Sequence, residues 1–209
     1  VAVTSLLNTD WYPRGLSHRL PVTYDAARGS AIYRRLHVAM PVRPAFSLAD
    51  AELDAIPEWL DVRTPQLFRA GTMRAVVDPR RLEFGVPTRG DLMVLQLLKD
   101  NLGTRPFYIA RTSGSYVQAL GLEPYALMQG LAYKIEPQVI VSSPDTVALP
   151  GIGHVDVRRT QALWNSFGAP RAFVSRGDWI DRPSIGIPAL YVSTAFQLAE
   201  VLLERGDTA

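Results

Sequence analysis

The 209-residue chain contains no cysteine, which excludes disulfides, thiolate zinc sites and a cysteine nucleophile. An excess of charge is missing as well, because 22 Lys and Arg against 20 Asp and Glu leave a net +2. So small a charge gathers neither phosphate backbones nor anionic lipid, and no nucleic-acid partner is expected. Long apolar runs are absent. The densest, Leu92 to Leu98, is broken by Gln96 and falls far short of the roughly 20 residues that a bilayer span requires, so a soluble chain is expected. The histidines, His18, His37 and His154, have no metal spacing, and neither a metal site nor a cofactor is expected. The chain has neither initiator methionine nor signal peptide, and it opens directly in an apolar, β-branched run, Val1 to Leu7. This reads as a piece cut from a longer polypeptide. At the other end Ala195 to Arg205 reads as a helix closed by Gly206, and Asp207-Thr208-Ala209 resembles the start of another.

With 47% hydrophobic and 20% charged residues the composition is globular, and a chain of this length buries roughly 70% of its unfolded surface. Val1 to Leu7 reads as a strand, followed by the capping residues Asn8-Thr9-Asp10. Prolines at 41, 44, 57, 65, 79 and 87 interrupt periodicity, so short strands and loops are expected there, including a strand from Met73 to Asp78. Asp91 is placed to cap a helix through Leu98 that is apolar nearly all round and therefore buried. Phe107 to Ala110 reads as a strand, Arg111 to Ser115 as a link and Tyr116 to Leu120 as a helix. Leu131 to Ile135 and Val139 to Ser142 read as strands, and Asp156 as the cap of a helix running to Phe167. The expected fold is α/β: a mixed or mostly parallel sheet packed with helices, with an irregular Pro-rich segment near 37–88 and a helical C-terminus. Residues 1–188 form the domain in this reading, and 189–209 a C-terminal helix. The expected core holds Leu92, Leu95, Leu98, Phe107, Ile109, Val157, Trp164, Phe196 and Leu203.

Two loops are candidate ligand sites, because ligands of open α/β sheets bind beyond the carboxyl ends of strands. Asn8 and Asp10 have the chemistry to hydrogen-bond sugar hydroxyls, Trp11 to stack on a sugar face, and Arg14 and Arg111 to pair with phosphate, with Thr112 and Ser113 as further ligand-binding candidates. The competing reading makes Asn8 and Asp10 helix caps, Trp11 a core residue and the arginines surface charges, and it is favoured. If both loops leave parallel neighbouring strands, they share one edge. Ser113 sits after a strand but lacks the Gly-x-Ser-x-Gly frame of a nucleophile elbow, so it reads as a turn. Asp178 and Asp181 are two acids in one loop without a defined separation, and a solvated turn is expected there. No catalytic residue is assigned. The last helix is also a candidate interaction surface if its apolar stripe is left without cover.

Several blocks of sequence, in order, carry a resemblance. They are Leu6-Leu7-Asn8-Thr9-Asp10-Trp11-Tyr12; Asp91-Leu92-Met93 through Asn101, with Arg105-Pro106-Phe107-Tyr108; Gly121-Leu122 through Gly130-Leu131-Ala132-Tyr133-Lys134, with Pro137; Asp156-Val157 to Phe167; and Phe196-Gln197-Leu198-Ala199 with Glu204-Arg205-Gly206-Asp207. Together they resemble the soluble C-terminal region of multi-pass membrane glycosyltransferases similar to protein O-mannosyltransferases, of GT-C architecture. The segment 37–88 carries almost none of this likeness, and Pro13 and Gly15 depart from it. The resemblance implies an extracytoplasmic accessory domain attached to a membrane-embedded catalytic part of its own parent chain. There it positions an acceptor protein or glycan, or braces the membrane part. The catalytic carboxylate and the polyprenyl-phosphate donor belong to that missing part. The alternatives are an independent enzyme acting on a sugar or phosphate ester, and a pure protein-interaction module.

Overall fold

Thr88 and Asp91 start the best-capped helix of the first half. Thr88 is the N-cap and Asp91 the third helical residue of α2 (Arg89–Asn101), and the Asp91 carboxylate accepts from both the backbone N–H and the hydroxyl of Thr88. The helix therefore begins three residues earlier than expected, and Asp91 caps it by reaching backward. The computed structural model describes residues 7–9, 45–150, 152–168, 171, 175 and 185–206, in two units, Val1–Arg105 and Pro106–Ala209.

In the first unit α1 (Asp50–Asp54) and the hairpin of β1 (Gln66–Ala70) with β2 (Met73–Val77) precede α2. The Pro-rich segment thus contains regular structure. β2 alternates strictly, burying Met73, Ala75 and Val77, and β1 packs on α2. The stripe Met93, Val94, Leu97 and Leu98 faces inward, as the 3.6-residue period demands. Leu92 and Leu95 are only half-buried, which corrects the expectation of a helix covered all round: among the described residues they border an open groove. Asn101 closes the helix end by donating to the carbonyls of Ala45 and Leu97. Leu7 is fully buried, but it lies in a short helical turn with Asn8 rather than in a strand. Residues 1–6 of the expected strand lie outside the described residues.

The second unit is built on a mixed sheet of order β3-β5-β4-β7-β6. Its strands are β3 (Phe107–Ala110), β4 (Ala126–Gln129), β5 (Ala132–Ile135), β6 (Thr146–Leu149) and β7 (Gly153–Asp156), with α3 (Ser115–Ala119) between β3 and β4. β4 and β7 pair parallel and the other neighbours antiparallel. α4 (Val157–Ser166) opens on Asp156, whose carboxylate accepts from the Arg159 N–H, as the sequence indicates, and it packs on β4 and β7. α5 (Gly186–Glu204) packs on α4 and runs through position 188, where a boundary is expected. Gly206, at φ +75, follows its end. Trp164, Phe167 and Tyr191 join the two helices, Phe167 edge to face with each of the other rings and Trp164 tilted against Tyr191, at centroid distances of 5.6 to 6.3 Å.

Three expectations fail in this unit. Val139 to Ser142 is no strand, because the Ile140 N–H is spent on the Pro124 carbonyl and Val139 and Val141 stand in solvent; β6 forms later instead. Phe196 and Leu203 are 71% and 65% exposed rather than core, and Phe107 and Trp164 are only half-buried. α5 is apolar on every side, so periodicity does not select the inward stripe, and tertiary contacts choose Thr194, Leu198 and Val201. Finally, α5 is long and apolar enough to cross a membrane, with 17% of it buried, although no uninterrupted apolar run marks it.

Candidate functional site

Arg111 follows β3 at the start of a 3-10 turn, Arg111–Ser113. Its guanidinium is aimed at α5, donating to Thr194 Oγ1 at 2.8 Å, Gln197 Oε1 at 2.6 Å and Ser193 Oγ at 3.3 Å, with Met128 Sδ at 3.4 Å. The two hydroxyls send their own protons to the Leu190 carbonyl, which leaves their lone pairs to the arginine. Burial lowers the Arg111 pKa, partly offset by Tyr133. The partners are neutral atoms, so the charge is solvated by the protein rather than cancelled. Arg111 is therefore a clamp that fixes α5. Thr112 is exposed and Ser113 half-buried within the same turn.

Asn8 has a comparable role in the first unit. Its side-chain oxygen accepts from the Gly90 N–H at 2.6 Å, so it caps α2 rather than the segment that follows it in sequence. A Cβ at Gly90 would lie 3.0 Å from that oxygen, which explains the glycine. The other donors of this helix start are also satisfied: Arg89 N–H by the Glu58 carbonyl and Asp91 N–H by Thr88 Oγ1. No anion site remains there. Asp10, Trp11 and Arg14 lie outside the described residues, as do His18, His37, Asp178 and Asp181. Asn8 belongs to the first unit and Arg111 to Ser113 to the second. β3 pairs only with β5, antiparallel, among the described strands, so the parallel neighbour that a shared loop edge requires is not found there.

A groove that sequence reasoning missed lies in the first unit. It measures about 480 Å³ and opens between α1, β1 and α2. Ile56, Phe68, Leu92 and Leu95 line it with apolar surface, and Glu52, Arg69, Gln96 and Lys99 bring polar groups. Its volume suits a sugar ring or a few peptide side chains. The signal was the second apolar face of α2, which needs either a cover or a ligand.

Among the described residues no cluster of acids and histidines can hold a metal. His154 on β7 has a pKa lowered by burial, and its Nδ1 is buried without a hydrogen-bond partner among the described residues. Compared with family models, curated proteins and solved structures, the chain matches none.

Proposed function

We propose that the chain is an accessory domain of a polytopic membrane glycosyltransferase similar to the protein O-mannosyltransferases, held on the extracytoplasmic side by the membrane-embedded part of its parent chain. The supporting observation is how the family-like segments are used. Asn8 of the first block hydrogen-bonds Gly90, immediately before the second. The Gly130 N–H of the third block is accepted by Thr160 of the fourth, whose hydroxyl donates to the Met128 carbonyl. These residues support one another, as suits a domain that presents a surface while the reaction takes place elsewhere. The groove beside Leu92 and Leu95 is the surface offered to an acceptor protein or glycan.

The test uses the parent enzyme in membranes, with transfer from a polyprenyl-phosphate sugar to an acceptor protein as readout. Leu95→Ala with Lys99→Glu raises the acceptor KM by up to about tenfold, equivalent to about 1.4 kcal/mol of lost binding, and leaves kcat and membrane insertion unchanged. A parent reading frame without apolar spans would sink the reading. So would turnover of glycosides or phosphate esters by the isolated chain that Asp10→Ala abolishes.

A further inference from the structure

The outward face of α5, together with Ile185 just before it, carries six residues, Ile185, Ala189, Val192, Phe196, Ala199 and Leu203, spaced alternately four and three apart. All six are exposed, Ile185, Val192, Phe196 and Leu203 by 50%, 54%, 71% and 65%. Steps of four and three residues keep all six on one side of the helix, the arrangement that a helix-pair seam requires. The inward face is occupied, because Ser193, Thr194 and Gln197 hold the Arg111 guanidinium and α4 packs alongside.

Two features identify the occupant as a second copy of the chain. The first is size order. Along the seam it runs large, small, large, large, small, large, and it reads the same from either end. A two-fold axis through Thr194 then sets Ile185 against Leu203 of the second copy, Ala189 against Ala199, and Val192 against Phe196. The alanine pairs let the helices approach closely, and the large residues fill the layers between. The second is charge. From Ile185 to Ala199 the helix has no ionisable side chain except the Tyr191 phenol, whereas Glu200, Glu204 and Arg205 crowd its C-terminal end. Parallel association would stack Glu200 on Glu200. Antiparallel association sends the acids to opposite ends of the pair, each beside the other helix's N-terminal turn, where the macrodipole favours negative charge.

We propose that the chain self-associates through α5 as an antiparallel, two-fold symmetric helix pair. The pairing is independent of the accessory-domain reading, which does not require it. An isologous contact of this kind closes on itself and does not propagate into fibres.

Because the chain lacks cysteine, disulfide trapping is unambiguous. The full 209-residue chain is made as Ala189→Cys and, separately, as Ala199→Cys, and each is treated with a mild oxidant alone and after mixing. The antiparallel pair predicts a covalent dimer in the mixture and little in either variant alone, because each introduced thiol lies about 15 Å along the seam from its own copy. Sedimentation of the unmodified chain at tens of micromolar gives twice the chain mass, and Phe196→Glu, whose side chain is exposed in the fold, gives the single mass with unchanged circular dichroism. A monomer at that concentration overturns the proposal. Self-cross-linking of each variant alone also overturns it, as that indicates a parallel pair. A monomer that instead binds neutral phosphatidylcholine vesicles in flotation assigns the seam to lipid and likewise overturns it.

Discussion

Arg111 and His154 are charged or chargeable groups placed against neutral surroundings, with opposite results. Arg111 remains a cation because three side-chain oxygens replace its water, and a hydrogen bond to a charged group contributes roughly 1.5–3 kcal/mol net of the water it replaces. Arg111→Met, which keeps the apolar stem, should lower stability by about 2 kcal/mol in urea titration and speed hydrogen exchange in the 190–198 stretch of α5. An unchanged midpoint would refute the clamp. His154 has no such replacement. Burial lowers its folded pKa below the unfolded value of about 6.5, so the unfolded chain binds the extra proton first. Its contribution is therefore intact above pH of about 6.5 and is lost as pH falls through the lower, folded value. His154→Leu should flatten the fall in urea midpoint on acidification, and an equally steep fall in that variant would remove His154 as its cause. Arg111 was legible in sequence as a residue of interest but not in its role, because its partners lie more than 80 residues away and no periodicity connects them. Asn8 was legible as a cap, yet the helix it caps lies 82 residues on.

At the scale of elements, what could be read was whatever carries its own signal. β3, β5 and α4 were indicated by β-rich runs and by Asp156, because capping and alternation are local chemistry. β4, β6 and β7 were missed, since four-residue strands containing Ala, Gly and His have little propensity and exist through pairing. Their turn glycines are stringent. Gly130 sits at φ +63, and a Cβ there would lie 3.2 Å from Phe167 and 3.3 Å from Leu163. Gly130→Ala should therefore both strain the backbone and push α4 from the sheet, costing roughly 1–3 kcal/mol, with the near-ultraviolet signal of the Trp164 cluster altered. Thr160 is fully buried, its hydroxyl placed between the Met128 carbonyl and the Gly130 N–H. Thr160→Val keeps the shape and leaves that N–H unpaired, for a loss of about 1–3 kcal/mol; a neutral result would mean that the N–H finds another acceptor.

For the whole molecule, the mixed α/β class was readable because helix and strand signals alternate, whereas the division after Arg105 was not, since no flexible linker marks it: Thr104 and Arg105 both donate to the Asn101 carbonyl and Pro106 follows at once. The groove was likewise unreadable as a site, because its lining comes from three elements and only Leu92 and Leu95 announce themselves. One feature of the sheet also governs how the second unit is assembled in time. β4 and β5 meet through a two-residue turn, Gly130-Leu131, the kind of hairpin that closes in about 1–10 μs. β7 must instead come alongside β4 in parallel, Leu127 beside His154, and the intervening chain has to surrender its freedom before that ladder gives anything back. The hairpin is thus expected to be the early event and the docking of β7 with α4 the late one. Val155→Ala, at the fully buried centre of β7, should then accelerate unfolding while barely slowing refolding, and stopped-flow chevrons showing the reverse partition would place β7 in the nucleus.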